Sequence, residues 1–157
     1  MRTKFQGYIK AWNSHSFEDF SQYWSDDIFL HLPGCPPLHG KPAVIEFFKT
    51  GLSFFEETLH PTFLIEGDKA LGMEAKVYVK ILQDMTFVFP FTGKSYAAGD
   101  KFIYEFVVHY ELDDNLLITT FRAYSVVLNP SAGAGVTQSG LAGFEPVPDI
   151  EKLGGIA

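Results

Sequence analysis

The segment DDIFLHLPGCPPLHG, residues 26–40, places two histidines beside an apolar run and a proline-rich corner. An imidazole titrates near neutral pH, so it can serve as a general acid or a general base. His31 alternates with two leucines, and its side chain therefore points away from the apolar face of this strand. His39 precedes Gly40 at the start of a predicted helix. It is either a catalytic acid or base, or an ordinary loop residue.

Phenols are the second set of groups that could do chemistry. In the stretch DKFIYEFVVHYEL, residues 100–112, one face carries Phe102, Tyr104, Phe106, Val108 and Tyr110. We expect this aromatic face to line a pocket and the alternate face, with His109, to lie outside. A phenol in an apolar pocket can donate a hydrogen bond to a developing oxyanion. The alternative is a buried tyrosine whose hydroxyl is satisfied within the protein.

The last predicted strand ends in FRAYSV, and its parity is ambiguous because bulges are common there. Either Arg122 and Tyr124 face the pocket, or Phe121, Ala123 and Ser125 do. An inward guanidinium would hold an anionic or enolate oxygen. The alternative is an ion pair with one of the nineteen acids. No histidine pair has the i, i+4 spacing of a metal site, and no glycine-rich phosphate loop follows a strand.

Composition limits the classes of protein that the chain can belong to. Its 157 residues fit one domain, 46% of them are hydrophobic and 16% aromatic, and sixteen are phenylalanine. The formal charge of −7 argues against a nucleic-acid partner. No uncharged apolar run is long enough to cross a membrane. Because the N-terminus lacks an apolar signal core, we expect a cytoplasmic protein.

Hydrophobic periodicity predicts the elements that position these groups. Phe5, Tyr8, Ile9 and Trp12 recur at helical spacing, a second helix buries Phe17, Phe20, Tyr23 and Trp24, and a third begins after Gly40. Four long strands follow from about residue 55, with a longer connection at 83–99. Helices first and antiparallel strands afterwards indicate an α+β fold with helices on one face of a bent sheet. We predict a domain over residues 1–128 and a Gly/Pro-rich tail over 129–157.

Two quoted stretches resemble a known superfamily. YIKAWNSHSFEDFSQYWSDDIFLHLPGCPPLHGKPAVIEFF is similar to the opening of SnoaL-like and NTF2-like proteins, and GDKFIYEFVVHYELDDNLLITTFRAY to their closing hairpin. The resemblance implies three helices packed on a strongly curved, mostly antiparallel sheet, which forms a cone with an apolar pocket. It also implies a homodimer and activity without a metal or an organic cofactor. Relatives include ketosteroid isomerases, limonene epoxide hydrolase, scytalone dehydratase and polyketide cyclases.

The resemblance also assigns roles to single positions. Tyr8 matches the oxyanion-hole tyrosine of ketosteroid isomerases, although it also fits the apolar stripe of the first helix. The general base of those enzymes falls on Leu32 and their second acid near Val108, so proton transfer by those groups is excluded. His39 matches a position at the pocket wall where relatives often carry a basic residue. A dehydratase relative uses a pair of histidines from neighbouring strands, which makes His60 a further candidate.

The chain is therefore predicted to be a cofactor-free isomerase, cyclase or dehydratase acting on a hydrophobic polycyclic intermediate of secondary metabolism. We expect catalysis by phenols, an imidazole and a guanidinium instead of a carboxylate, with the catalytic set Tyr8, His39, Tyr104, Tyr110 and Arg122. Residues expected to contact the substrate are Trp12, Trp24, His60, Phe106, Phe121 and Tyr124. The alternative is a non-catalytic module that binds a small molecule or docks a protein. A cavity with convergent polar groups would favour the enzyme.

Overall fold

The computed structural model describes residues 1–128 and 141–144. This part of the chain forms three helices, α1 (Arg2–Asn13), α2 (Phe17–Ser21) and α3 (Lys41–Leu52). It also forms six strands, which are β1 (Trp24–His31), β2 (Leu38–His39), β3 (Phe55–Glu66), β4 (Ala70–Ile81), β5 (Lys101–Leu112) and β6 (Ile118–Leu128). The predicted α+β order is confirmed.

The strands form one sheet in the order β2-β1-β6-β5-β4-β3. Neighbouring strands are antiparallel except for the parallel pair β1–β6. The register shifts at Thr62 of β3, between Pro61 and Phe63, and at Tyr124 of β6, which is the extra residue opposite Val107 and Val108 of β5. Such bulges increase twist and bend a sheet. The curved, unclosed sheet with helices on its concave face confirms the predicted cone.

The proline-rich corner differs from the sequence prediction, because it is followed by the short strand β2 at the sheet edge. Gly40 then turns the chain from β2 directly into α3 with a φ of +88°. This left-handed region favours glycine, which has no Cβ to clash. Pro42 lies in the first turn of α3, where a missing amide proton costs no helical hydrogen bond.

Helix α1 lies against the concave face through its predicted stripe, because Phe5, Tyr8, Ile9 and Trp12 are all buried. Asn13 ends the helix and ties it to the edge strand β3. Its side-chain amide donates to the carbonyl oxygen of Leu59 at 2.9 Å and accepts from the Leu59 amide at 2.8 Å. This pair of hydrogen bonds fixes the end of α1 relative to the middle of β3.

Part of the predicted tail lies beside α1 and β3. The Leu141 amide donates to the carbonyl oxygen of Pro61 at 3.2 Å, and the Phe144 ring lies 6.3 Å from the Phe5 ring. Residues 129–140 and 145–157 lie outside the described part, so the domain boundary after residue 128 stays a prediction. Across the described ranges, no helix is both long and apolar enough to cross a membrane.

Candidate functional site

A cavity of about 640 Å³ lies between the concave face of the sheet and the helices. The residues with exposed side chains on its wall, Ala43, Glu46, Thr50 and Pro90, place its mouth between α3 and the connection 82–100. Aromatic rings dominate the rest of the wall, which includes Trp12, Phe47, Phe48, Phe55, Phe87, Phe89, Phe91, Phe106 and Phe121. The cavity therefore suits a hydrophobic ligand.

A carboxyl group, that of Glu57 on β3, lies in this apolar wall and is only 7% exposed. Strand alternation places it there, since it shares the concave face with Phe55 and Leu59. Tyr104 on β5 reaches the carboxyl across the intervening strand β4 and donates to Glu57 Oε1 at 2.8 Å. Oε2 makes no hydrogen bond with the described residues, so it is available to a ligand.

Burial sets the protonation behaviour of this carboxyl. Loss of hydration raises the pKa of Glu57 from 4.5 to about 7, although the hydrogen bond from Tyr104 acts in the opposite direction. The desolvation effect is the larger one. Both the acid and the carboxylate are therefore populated near neutral pH, which is the condition for efficient general acid–base catalysis.

Tyr104 remains a hydrogen-bond donor under the same conditions. Burial and the neighbouring carboxyl of Glu57 raise the pKa of its phenol well above 10. The proton therefore stays on Tyr104, and the Glu57–Tyr104 pair (the dyad below) holds one exchangeable carboxyl proton next to a fixed donor.

A second group of buried polar atoms adjoins the dyad. The hydroxyl of Tyr8 faces Trp24 and Tyr110, and its pKa is raised mainly by burial. The polar atoms of this group are the hydroxyls of Tyr8 and Tyr110 and the indole Nε1 of Trp24. None of them has hydrogen-bond geometry with another described residue. Tyr8 itself lines the cavity. Its hydroxyl oxygen is buried towards Trp24 and Tyr110, and a hydroxyl in such an apolar setting is the type of group that stabilises an oxyanion.

Residues 5–121 match the family model of the SnoaL-like domain. The protein belongs to the SnoaL-like domain family. Among proteins of curated function, none matches the chain significantly. The predicted resemblance is confirmed over most of the chain.

Solved structures with the same fold share little sequence with this SnoaL-like protein. A candidate polyketide cyclase from Xanthomonas campestris is 18% identical to this chain, with a TM-score of 0.66. The match covers 77% of this chain and 86% of the cyclase chain. A Mycobacterium tuberculosis epoxide hydrolase of the limonene epoxide hydrolase type is 13% identical, with a TM-score of 0.59, covering 76% and 77%. Another M. tuberculosis protein, solved with estradiol-17β-hemisuccinate, is 18% identical, with a TM-score of 0.58, covering 76% and 88%.

The structure brings some of the predicted site residues of the SnoaL-like domain together and separates others. The cavity wall contains Tyr8, Trp12, Tyr104, Phe106 and Phe121. Trp24 and Tyr110 are fully buried behind that wall, where their polar atoms face Tyr8. Trp24 and Tyr110 can therefore affect a ligand only by changing the orientation or the polarity of the Tyr8 hydroxyl.

Arg122 and Tyr124, expected in the catalytic and binding sets, lie on the outer face of β6. The parity left open by the sequence is resolved because Phe121 and Ala123 are buried on the cavity side. The Arg122 guanidinium lies 5.7 Å from the Phe29 ring, and Tyr124 is 59% exposed. Neither residue reaches the cavity, because adjacent strand residues point to opposite faces.

His39 and His60, expected in the catalytic and binding sets, are not among the residues that line the cavity. His39 is exposed and follows Leu38, whose side chain lines the cavity, so the histidine points the other way. His60 follows Leu59 in β3 and lies opposite Lys76 on β4. The side chain of His60 is therefore on the convex face, and so is that of Lys76. The Lys76 Nζ lies 3.8 Å from Glu105 Oε1.

Sequence reasoning missed the carboxyl group in the SnoaL-like cavity. The usual acidic positions do carry Leu32 and the segment RAYSVVL, as predicted, but the acid is supplied from β3 instead. The signal was present in FFEETL, because Glu57 stands two residues from Phe55 on one side and from Leu59 on the other. An acid at an apolar position of an alternating strand indicates a buried carboxyl.

Among residues 1–128 and 141–144, no cluster of three or more histidine, cysteine, aspartate or glutamate side chains could hold a metal ion. The chemistry that the site offers through its own residues is proton transfer and hydrogen-bond donation. Glu57 of the dyad supplies the proton transfer. Tyr8 and Tyr104 supply the hydrogen-bond donation.

The variant Tyr104→Phe is expected to raise the pKa of Glu57 further, because it removes the hydrogen bond that favours the carboxylate. A rise of about one unit is expected, since a hydrogen bond to a charged group contributes ~1.5 kcal/mol or more. Carbon-13 NMR of labelled glutamate side chains measures this pKa directly. Tyr96→Phe removes the same atom outside the cavity wall and should leave the Glu57 titration unchanged. An unshifted titration in Tyr104→Phe would contradict the assigned role of the dyad.

Proposed function

We propose that this protein is a cofactor-independent acid–base enzyme of the isomerase and cyclase type. Glu57 is its proton-transfer group, Tyr104 positions Glu57, and Tyr8 donates to an oxygen of the substrate. The observation that carries the proposal is a carboxyl group with a pKa of about 7 inside an aromatic cavity. The structural similarity to a candidate polyketide cyclase and to an epoxide hydrolase supports this reaction class.

The dyad allows both directions of proton transfer at one position. As a carboxylate, Glu57 removes a proton from a carbon next to a carbonyl, while Tyr8 stabilises the enolate oxygen that forms. As a carboxylic acid, Glu57 returns the proton to another carbon of the same skeleton, which completes an isomerisation. The same acid form protonates a hydroxyl group, which leaves as water in a dehydration. It also protonates an epoxide oxygen, whose C–O bond then breaks as a nucleophilic group of the same substrate forms the new ring.

The substrate class follows from the wall. Its described residues include no lysine, arginine or histidine, while Glu46 stands at the mouth and Glu57 inside. A carboxylate or phosphate ligand would find no cation there and would be repelled by Glu57 above its pKa. Uncharged, hydrophobic polycyclic molecules fit the cavity, and secondary metabolism supplies such intermediates. The homodimer and the cytoplasmic location stay predictions.

Deuterium labelling tests the proposal with no need to identify the natural substrate first. A panel of uncharged polycyclic ketones and epoxides is incubated with the protein in D₂O and analysed by mass spectrometry. We expect at least one compound to gain deuterium next to its carbonyl, or to rearrange, in the presence of the wild-type protein but not of Glu57→Gln. Binding is followed in parallel by the fluorescence of Trp12, which lines the cavity.

The outcome separates the enzyme from a binding module. Exchange or product formation that requires Glu57 supports catalysis. Tight binding across the panel, with neither exchange nor product, would contradict the proposed enzyme and favour a non-catalytic carrier. Activity that persists in Glu57→Gln would contradict the role assigned to the dyad.

A further inference from the structure

A second cavity of about 240 Å³ adjoins the main one at the ends of the helices. The two cavities share a wall formed by Trp12, Leu52, Phe55 and Glu57. Glu57 therefore lines both spaces, although its side chain is almost fully buried. The carboxyl group is thus located at a partition, with a substrate-sized space on one side and a smaller space on the other.

The rim of the second cavity differs in polarity from the mouth of the main one. It is formed by His15 after α1, Lys49 and Ser53 at the end of α3, and Glu56 on β3. The side chains of His15 and Glu56 are 38% and 36% exposed, and Lys80 lies 3.6 Å from Glu56 Oε2. Charged groups of both signs bind water and disfavour an apolar ligand. The rim is therefore the polar part of a cavity whose inner wall also contains Trp12, Phe17, Phe20, Leu52 and Phe55.

His15 has an unusual backbone at this rim. Its φ of +56° is left-handed, a conformation uncommon for residues other than glycine. The ring Nε2 donates to the carbonyl oxygen of Glu57 at 3.2 Å, and Nδ1 lies 3.9 Å from Glu56 Oε1. Together with the hydrogen bonds between Asn13 and Leu59, this contact holds β3 beside the helix ends. The space next to Glu57 is thus supported by specific contacts.

From this geometry we propose that the second cavity is a water passage that connects Glu57 with bulk solvent while a hydrophobic ligand fills the main cavity. Its volume of about 240 Å³ has room for several water molecules, for which Glu57 and the polar side chains of the rim are the hydrogen-bond partners. A ligand in the main cavity closes the other route, so protons lost or gained by Glu57 travel through the passage. The role of the passage in turnover rests on the proposed function. Its existence is tested by an experiment that does not need catalysis.

Infrared spectroscopy measures the proton exchange of Glu57 directly. At about pH 5 most exposed carboxyl groups are ionised, whereas Glu57 is protonated. Its carbonyl band is identified by its absence in Glu57→Gln. The main cavity is filled with N-phenyl-1-naphthylamine, an uncharged probe whose fluorescence reports saturation, and the protein is then transferred rapidly from H₂O to D₂O.

Ser53→Phe is designed to block the passage, because Ser53 is exposed and lines only the second cavity. We expect it to slow deuteration of Glu57 by about tenfold or more, since exchange would then require local opening of the fold. Thr50→Phe is the matched control, because Thr50 lies one turn earlier on α3 and lines only the main cavity. It should leave exchange in the probe-filled protein unchanged. Ser53→Leu, a smaller block, should slow exchange less.

Equal exchange rates in the wild type and in both Ser53 variants would contradict the proposed water passage. The proposal would also be contradicted if Thr50→Phe slowed exchange as much as Ser53→Phe does. If this probe does not bind, the comparison is made with another uncharged aromatic probe whose fluorescence reports saturation, because only a filled main cavity closes the other route to Glu57. Failure of the proposed function is recognised separately. In that case turnover survives Glu57→Gln, while the exchange rates still report on the passage.

Discussion

Replacing Glu57 by glutamine is expected to lower turnover by a factor of about 10² to 10⁴, which is the usual contribution of a positioned general acid or base. Glutamine has nearly the same shape as glutamate but cannot accept and return a proton at neutral pH. Its amide oxygen can still accept the hydrogen bond that Tyr104 donates to Glu57 Oε1. The cavity should therefore keep its form while the proton-transfer step is lost.

The loss is expected in kcat and not in ligand affinity. Since the walls that bind the hydrophobic skeleton are unchanged, the Kd of an uncharged ligand should stay within about twofold of the wild-type value. Steady-state kinetics on the compound selected by deuterium labelling gives kcat and KM, and Trp fluorescence gives the Kd. A weakening of binding equal to the loss of turnover would contradict a role in proton transfer.

Glu46→Gln is the matched control for this experiment. It removes the same negative charge from the same cavity wall, but Glu46 is exposed at the mouth. We expect nearly unchanged turnover in this variant. Comparable losses in Glu46→Gln and Glu57→Gln would indicate an effect of total charge instead of one specific acid.

The second large effect is on stability, where Glu57→Gln is expected to stabilise the fold at alkaline pH. The pKa of Glu57 is about 7 in the folded protein and near 4.5 when the chain is unfolded. Between these values the folded state binds more protons than the unfolded state, so the free energy of unfolding falls as pH rises. The decrease begins near pH 4.5 and levels off above pH 7. Its size is roughly 3 kcal/mol.

Urea unfolding at several pH values measures this difference. Glutamine does not ionise, so the Glu57→Gln curve should lack this decrease. The variant should thus gain up to roughly 3 kcal/mol over the wild type near pH 8 and little near pH 4. Glu46→Gln should follow the wild type, because its carboxyl is exposed. A variant less stable than the wild type above pH 7 would mean that the fold stabilises the carboxylate, and would contradict the raised pKa.

The elements of the fold were predictable where one face of an element is buried. Phe5, Tyr8, Ile9 and Trp12 are buried together as their spacing indicates, and the alternation in β4 and β5 holds except at Lys76 and Ile103, which are also buried. Packing against a single core explains this agreement, because a helix or a half-buried strand must repeat its apolar positions. The short strand β2 was not predictable, since two residues carry no period.

The site was less predictable, because it depends on register between strands. The inward position of Tyr104 follows from alternation alone, but its contact with Glu57 needs β4 to lie between β3 and β5. The orientation of Arg122 depends on the parity of β6, which bulges obscure. The aromatic wall from Phe87, Phe89 and Phe91 comes from the connection after β4, where their alternate spacing is a local signal that the sequence prediction did not use.

That connection, residues 82–100, has a consequence for how such an enzyme diversifies. It forms one side of the cavity and, among the described residues, carries a single isolated bridge between Phe89 and Lys94. Glu57 and Tyr104 lie on paired strands of the sheet, β3 and β5, on either side of β4. Substitutions in the loop can therefore reshape the chamber around a new skeleton without displacing the reactive groups. In the proposed enzyme, the residues that select the substrate and the residues that react with it thus lie on separate parts of the chain.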